Sequence, residues 1–226
     1  NFHQPTLNDL YWQPGGNPDL LPEKGTSTEI GLEYATRIRS TQISMEITAF
    51  RSDIDNWILW TPSHKGYWEP RNIRRVLSSG LEITASVSGK FRKLGYRISG
   101  NYAYTSSLNY GDPLVWGDES HGKQLPYIPQ HSGNVMFHLN WEGFYLTWQH
   151  NSYSERFTTS SNDVSRRDRL YPYFMNDLVA GKYFRFGKTE LNTELKIYNL
   201  FDETYHSVLY RPMPGRNFMV VVMIRI

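Results

Sequence analysis

Cysteine is missing from this 226-residue chain, which excludes disulfides and thiolate metal sites. No apolar run approaches about eighteen residues, so no membrane-crossing helix is expected. An excess of one charge is missing too. Lys and Arg number 24 and Asp and Glu 22, a net +2, so nucleic acid is not a suggested partner. The seven histidines are dispersed, with no i, i+2 or i, i+4 pair, which argues against an imidazole metal centre. A starting Met and a leader are absent, and we expect a processed product or a fragment.

What is present is aromatic. Phe, Trp and Tyr make up 15% of a chain that is only 39% hydrophobic. Sixteen Tyr and seven Trp in a polar sequence suit the interfacial girdles and polar lumen of a transmembrane β-barrel.

The residues from Asn1 to Gly25 are rich in Pro, Gly and Asn and read as loop. Beyond them the period is two. Ile30, Leu32 and Tyr34 oppose Glu29, Gly31 and Glu33; Ile43, Met45, Ile47 and Ala49 oppose Gln42, Ser44, Glu46 and Thr48. After a long connection expected over 56–68, Leu81, Ile83, Ala85 and Val87 oppose Glu82, Thr84, Ser86 and Ser88. Tyr96 to Thr105 alternates likewise. The next long connection is expected over 106–130. Two strands around Glu142-Gly143, a loop over 154–169, and a strand of unclear facing over 170–185 come next. Leu191, Thr193, Leu195 and Ile197 then oppose Glu190, Asn192, Glu194 and Lys196, and Phe218, Val220, Val222, Ile224 and Ile226 share one face of the last strand. The expectation is all-β: about nine antiparallel strands, with short turns after the odd ones and long loops after the even ones. Transmembrane barrels place short turns in the periplasm and long loops outside.

Two motifs carry a resemblance. Asn17-Pro18-Asp19-Leu20 with Pro22-Glu23 matches an N-P-x-L-x-P-E box. Asn199-Leu200-Phe201-Asp202 and Tyr205, then Pro214-Gly215-Arg216 and a terminal strand, match a second pattern. In that order they resemble TonB-dependent outer-membrane receptors, most closely the cobalamin (vitamin B12) receptors of Bacteroidetes. The resemblance implies the C-terminal part of a 22-stranded plugged barrel, spanning 1–226, with residues 1–25 as an external loop and the plug outside this chain. It departs from the family in ending on Ile226 rather than on an aromatic residue. It also implies active import of a large nutrient energised through TonB and the plug, contact with outer-membrane lipid and lipopolysaccharide, and no enzymatic activity or cofactor. It allows a surface-lipoprotein lid. Ferric-siderophore uptake is the alternative substrate class.

Candidate substrate-binding residues are the loop aromatics Trp57, Trp60, Trp68, Tyr110, Trp116 and Tyr210, with Arg211. The competing reading places such rings in the outer girdle, at headgroup level. Asp53 and Asp55, two apart, could hold calcium but read better as solvated rim charge. Charges on the polar strand faces read as ion pairs with the plug or between strands. Arg216 reads as the anchor of the Pro214-Gly215 turn. His150-Asn151-Ser152 alternates faces along a strand and cannot form a triad by itself. A small barrel enzyme would need an even strand count and a clustered catalytic set; a passive porin would lack the N-P-x-L-x-P-E box. A soluble sandwich would not expose these aliphatic strand faces.

Overall fold

A computed structural model describes residues 2–111, 120–165 and 169–226, the side chains of Pro62 and Arg74 excepted. Among the described residues, twelve strands and one short helix follow in chain order: β1 (Phe2–His3), α1 (Leu7–Tyr11), β2 (Glu23–Ile38), β3 (Thr41–Pro62), β4 (Trp68–Phe91), β5 (Leu94–Asn109), β6 (His131–Trp141), β7 (Phe144–Tyr153), β8 (Arg156–Phe157), β9 (Arg169–Leu170), β10 (Tyr173–Phe186), β11 (Thr189–Tyr198) and β12 (Asn217–Arg225). Ten of them form one antiparallel sheet ordered β1-β2-β3-β4-β5-β6-β7-β10-β11-β12, and β8 pairs with β9 alone.

Register makes the alternation of each strand into a property of the whole sheet. Leu32 lies opposite Ile47, Ile47 opposite Ile83, and Ile83 opposite Tyr102. Farther along, Phe137 lies opposite Trp148, Trp148 opposite Leu178, Leu178 opposite Ile197, and Ile197 opposite Phe218. Directly opposed residues share a face, so one apolar face runs across the nine long strands. No second layer covers it among the described residues: Ile30 is 75% exposed, Val220 72% and Phe218 65%. A continuous bare aliphatic face of this kind is stable only against lipid.

The same register resolves the facing of β10. Phe174, Leu178, Ala180 and Phe184 join the apolar face, while Tyr173, Asp177 and Gly181 join the polar one. The alternation is obscured by Lys182, which stands on the apolar face with its ammonium 3.8 Å from the Phe144 ring centroid and 4.9 Å from that of Phe184.

Two-residue turns join β2 to β3, β4 to β5, β6 to β7 and β10 to β11. Arg39, Arg92, Glu142, Gly143 and Gly187 take the positive φ that such tight hairpins require. The opposite end carries the longer connections, so the two-residue turns mark the periplasmic end. Aromatic rings mark this level: Trp141 stacks on Phe144 at 6.3 Å and Phe184 on Phe186 at 6.2 Å.

Two expectations are corrected. The connection over 56–68 is mostly a β-ribbon: Trp57 pairs with Ile73, Trp60 with Pro70 and Pro62 with Trp68, leaving only residues 63–67 to turn. β-Branched and aromatic residues sustain the ladder beyond the membrane despite the Asn and Pro that suggested a loop. The first 25 residues are not all loop either. Thr6 caps α1, its hydroxyl accepting from Asp9 N while Asp9 Oδ2 accepts from Thr6 N at 2.8 Å. Threonine followed three residues on by a carboxylate is a helix-start signature legible in the sequence.

Candidate functional site

The outer end of the sheet carries residues 6–23, the β3–β4 ribbon, the connections that follow β5 and β7, and the loop between β11 and β12. The N-P-x-L-x-P-E box fastens the first to the second. Asn17 Nδ2 donates to Pro70 O at 3.3 Å, Asn72 Oδ1 accepts from Leu21 N at 2.8 Å, and Asn72 Nδ2 donates to Leu21 O at 2.9 Å. Glu23 Oε1 accepts from Ile58 N at 2.8 Å. Leu20 is only 8% exposed, and among the described residues Val76 and Pro70 are the largest fully buried side chains. Gly15 approaches the Trp68 backbone so closely that a Cβ there would collide with its carbonyl oxygen.

The ribbon sorts the predicted tryptophans. Trp60 and Trp68 share one face, since their partners Pro70 and Pro62 are diagonal neighbours, and Trp57 lies on the other. Trp60 Nε1 donates to Asp9 Oδ1 at 2.9 Å. Burial pushes the Asp9 carboxyl up, yet the bonds from Thr6 and Trp60 and the nearby His3 outweigh it and hold the group below the ordinary carboxylate range. Tyr110 closes the ribbon base, its N–H donating to Arg75 O at 2.8 Å and its ring meeting His121 edge-on at 5.6 Å. Trp116 lies outside the described residues. On the outward side, Arg75 clamps Asp53 through Nε at 2.6 Å and through Nη2. That hydrogen bond holds the Asp53 carboxyl low. Asp53 is thus a paired rim charge.

Tyr210 and Arg211 stand in the β11–β12 loop, across β5, β6, β7 and β10 from the ribbon. The second motif is the clasp of this loop. Asn199, 2% exposed, donates to Glu203 O at 2.9 Å and Pro214 O at 3.4 Å and accepts from Glu203 N at 2.8 Å. Asp202 Oδ1 accepts from Arg216 N at 2.7 Å, and Arg216 Nη1 donates to Leu200 O at 3.5 Å. Arg216 is therefore the turn anchor its position suggested.

Between this loop and the start of β10 lies a cavity of about 320 Å³, lined by Arg169, Tyr171, Tyr173, Tyr205, His206 and Tyr210 among others. The Tyr173 ring packs at a tilt against Tyr205, with centroids 4.9 Å apart, and against Tyr153 at 5.0 Å. The Arg156 guanidinium, nearly buried, sits 5.0 Å from the Tyr173 ring and donates to His206 O at 2.9 Å and Ser207 O at 3.4 Å. Burial, with the charge of Asp177, pushes the Tyr205 phenol up, so it stays neutral. Of the predicted residues only Tyr210 lines this cavity. Arg211 contributes its carbonyl, which meets His206 Nδ1 at 3.1 Å. Arg169, Tyr171, Tyr173 and His206 were missed because no motif surrounds them; Tyr-Pro-Tyr at 171–173 was the available signal.

A single antiparallel sheet with a lipid-facing side, periplasmic turns and a built outer mouth defines an outer-membrane β-barrel wall. The chain belongs to the TonB-dependent receptor family: the family model "TonB dependent receptor-like, beta-barrel" matches residues 1–200. It is 30% identical over 210 residues to the vitamin B12 transporter BtuB of Photobacterium profundum, covering 90% of this chain and 30% of that protein. It is 24% identical over 220 residues to a BtuB of Vibrio vulnificus, covering 96% and 32%. The chain thus spans about a third of the length of these relatives. They come from Photobacterium and Vibrio, whereas the motif resemblance pointed to Bacteroidetes. Among solved structures it resembles the copper transporter OprC (TM-score 0.72, 17% identity, 98% of this chain and 35% of that one). It also resembles the unliganded ferric citrate transporter FecA (TM-score 0.69, 16% identity, 90% and 32%). At such identities these likenesses speak for the fold.

Proposed function

We propose that this chain forms the C-terminal barrel wall and part of the outer mouth of an active importer of vitamin B12, energised by TonB through a plug that fills the lumen. The observation that carries the substrate is the 30% identity to a vitamin B12 transporter across 90% of the chain. The geometry is compatible with it: two aromatic patches at the outer end, one on the ribbon and one at the last loop, flank a mouth suited to a bulky, partly apolar nutrient. The structural likeness to a ferric citrate transporter supports the shared barrel and does not favour a siderophore.

The test is calorimetric titration of cyanocobalamin into the complete receptor in detergent, with a ferric siderophore as control. Tight binding of cyanocobalamin that weakens in Trp60→Ala but not in Trp57→Ala, whose ring lies on the outward face of the ribbon, supports the reading. Heat from the siderophore alone overturns it.

A further inference from the structure

The cavity beside the last loop has features that a structural filler would not need. Its walls are aromatic, its floor is fixed, and a cation on its rim has donors to spare. Tyr173 and Tyr205 present rings packed against each other at a 37° tilt, and Tyr171 and Tyr210 also line the cavity. Arg156 holds Tyr173 from behind and ties the carbonyls of His206 and Ser207, which preorganises that wall. Arg169, also on the lining, lies 5.0 Å from the Tyr171 ring centroid and makes one ion pair, Nη1 to Glu155 Oε2 at 3.2 Å. A guanidinium carries five N–H donors. The Nε of Arg169 is buried and has no acceptor among the described residues. A buried charged donor left open normally awaits a partner.

The size of the cavity narrows the choice. About 320 Å³ lies at the lower end of the range for small-molecule sites. It would hold a bicyclic ring with an attached anionic group, but not an entire macrocycle. Flat heteroaromatic rings stack on tyrosine, and arginine is the side chain suited to phosphate.

We propose that this cavity receives the nucleotide arm of a cobalamin, the benzimidazole ring against Tyr205 and Tyr173 and the phosphodiester on Arg169. The proposal rests on the vitamin B12 reading and adds to it a division of labour. The corrin macrocycle lies over the mouth, and the last loop recognises the lower arm.

Two corrinoids separate the proposal from its parent. Cyanocobalamin and dicyanocobinamide share the corrin ring, and cobinamide lacks the nucleotide. Both are titrated into the complete receptor and into its Tyr205→Ala, Tyr205→Phe and Arg169→Gln variants. Cyanocobalamin should bind at least about tenfold more weakly to Tyr205→Ala and to Arg169→Gln. Tyr205→Phe, which keeps the ring, should bind it almost as the parent does, and cobinamide should be indifferent to all three changes. Equal losses for the two ligands, or no loss for either, overturn the proposal and leave the vitamin B12 reading standing. Failure of both corrinoids to bind the unaltered receptor overturns that reading and the proposal with it.

Discussion

Trp60 donates its indole N–H to Asp9 Oδ1 at 2.9 Å, across 51 positions of sequence. The same carboxylate closes the capping box of α1 on Thr6. One acidic side chain therefore both starts a helix and fixes a ribbon tryptophan. The orientation of the outer mouth depends on a group that can be titrated.

Acidification should release this tie. The Asp9 carboxyl is held below 3.8, so the stability it contributes is present in full above its unfolded value and is lost as pH falls through the lowered one. Trp60 emission, read as the difference between the receptor and its Trp60→Phe variant, should be constant from about pH 7 to 5 and change below about pH 4. Asp9→Ala should show the acid-state emission already at neutral pH. A transition centred near neutrality would rule out Asp9 as the group responsible.

Asn199→Ala tests the clasp of the last loop. The side chain is buried and makes three hydrogen bonds, to Glu203 O, Glu203 N and Pro214 O. Removing it leaves backbone groups without partners, a loss of about 1–3 kcal/mol. Urea unfolding should show the drop, while Asp202→Ala, which frees only Arg216 N at an exposed position, should cost less.

Most strands and their faces were legible because period two is a local signal; β10 was the exception, because Lys182 interrupts its apolar face and only register resolves it. Asn199 and Arg216 were legible through a motif. The ribbon over 57–73 was not, because Pro62 and Asn56 are loop-forming residues that pairing overrides. Nor was the cavity. Arg169 and Tyr171 meet Tyr205 and His206 only through tertiary contact between two connections, and nothing local in either announces the other. Of the residues nominated from the sequence, the described ones divide between the ribbon end and the last loop, with Trp57 on the opposite face of the ribbon from Trp60 and Trp68.

Gly181 lies opposite Tyr145 on the polar face, and the Tyr145 ring occupies the space a side chain would need. From there its hydroxyl reaches Glu194 Oε1 at 2.6 Å and Asn192 Oδ1 at 3.1 Å. Gly181→Ala should expel the ring, break both bonds and cost about 1–3 kcal/mol. In a double-mutant cycle with Tyr145→Ala, the glycine substitution should lose most of that cost, because the obstructing ring is gone. Additive losses would mean that the ring and the glycine are independent.

Lys182 offers a test of where the membrane lies. It stands on the lipid face, opposite Phe144 at the β6–β7 turn, where its ammonium rests over two phenyl rings and its stem lies along the wall. A lysine at that level can extend its charge to the periplasmic interface. Lys182→Leu should therefore change stability by less than about 1 kcal/mol. Leu178, on the same face and four residues nearer the middle of the strand, has no such exit; its partners are Trp148 and Ile197. Leu178→Lys should cost about 2–4 kcal/mol, the penalty for a cation near the bilayer midplane. Equilibrium unfolding of the complete receptor in lipid vesicles measures both. If the two substitutions prove equally costly, residues 178 and 182 lie at the same depth, and the membrane boundary placed at the Trp141–Phe144 level is wrong.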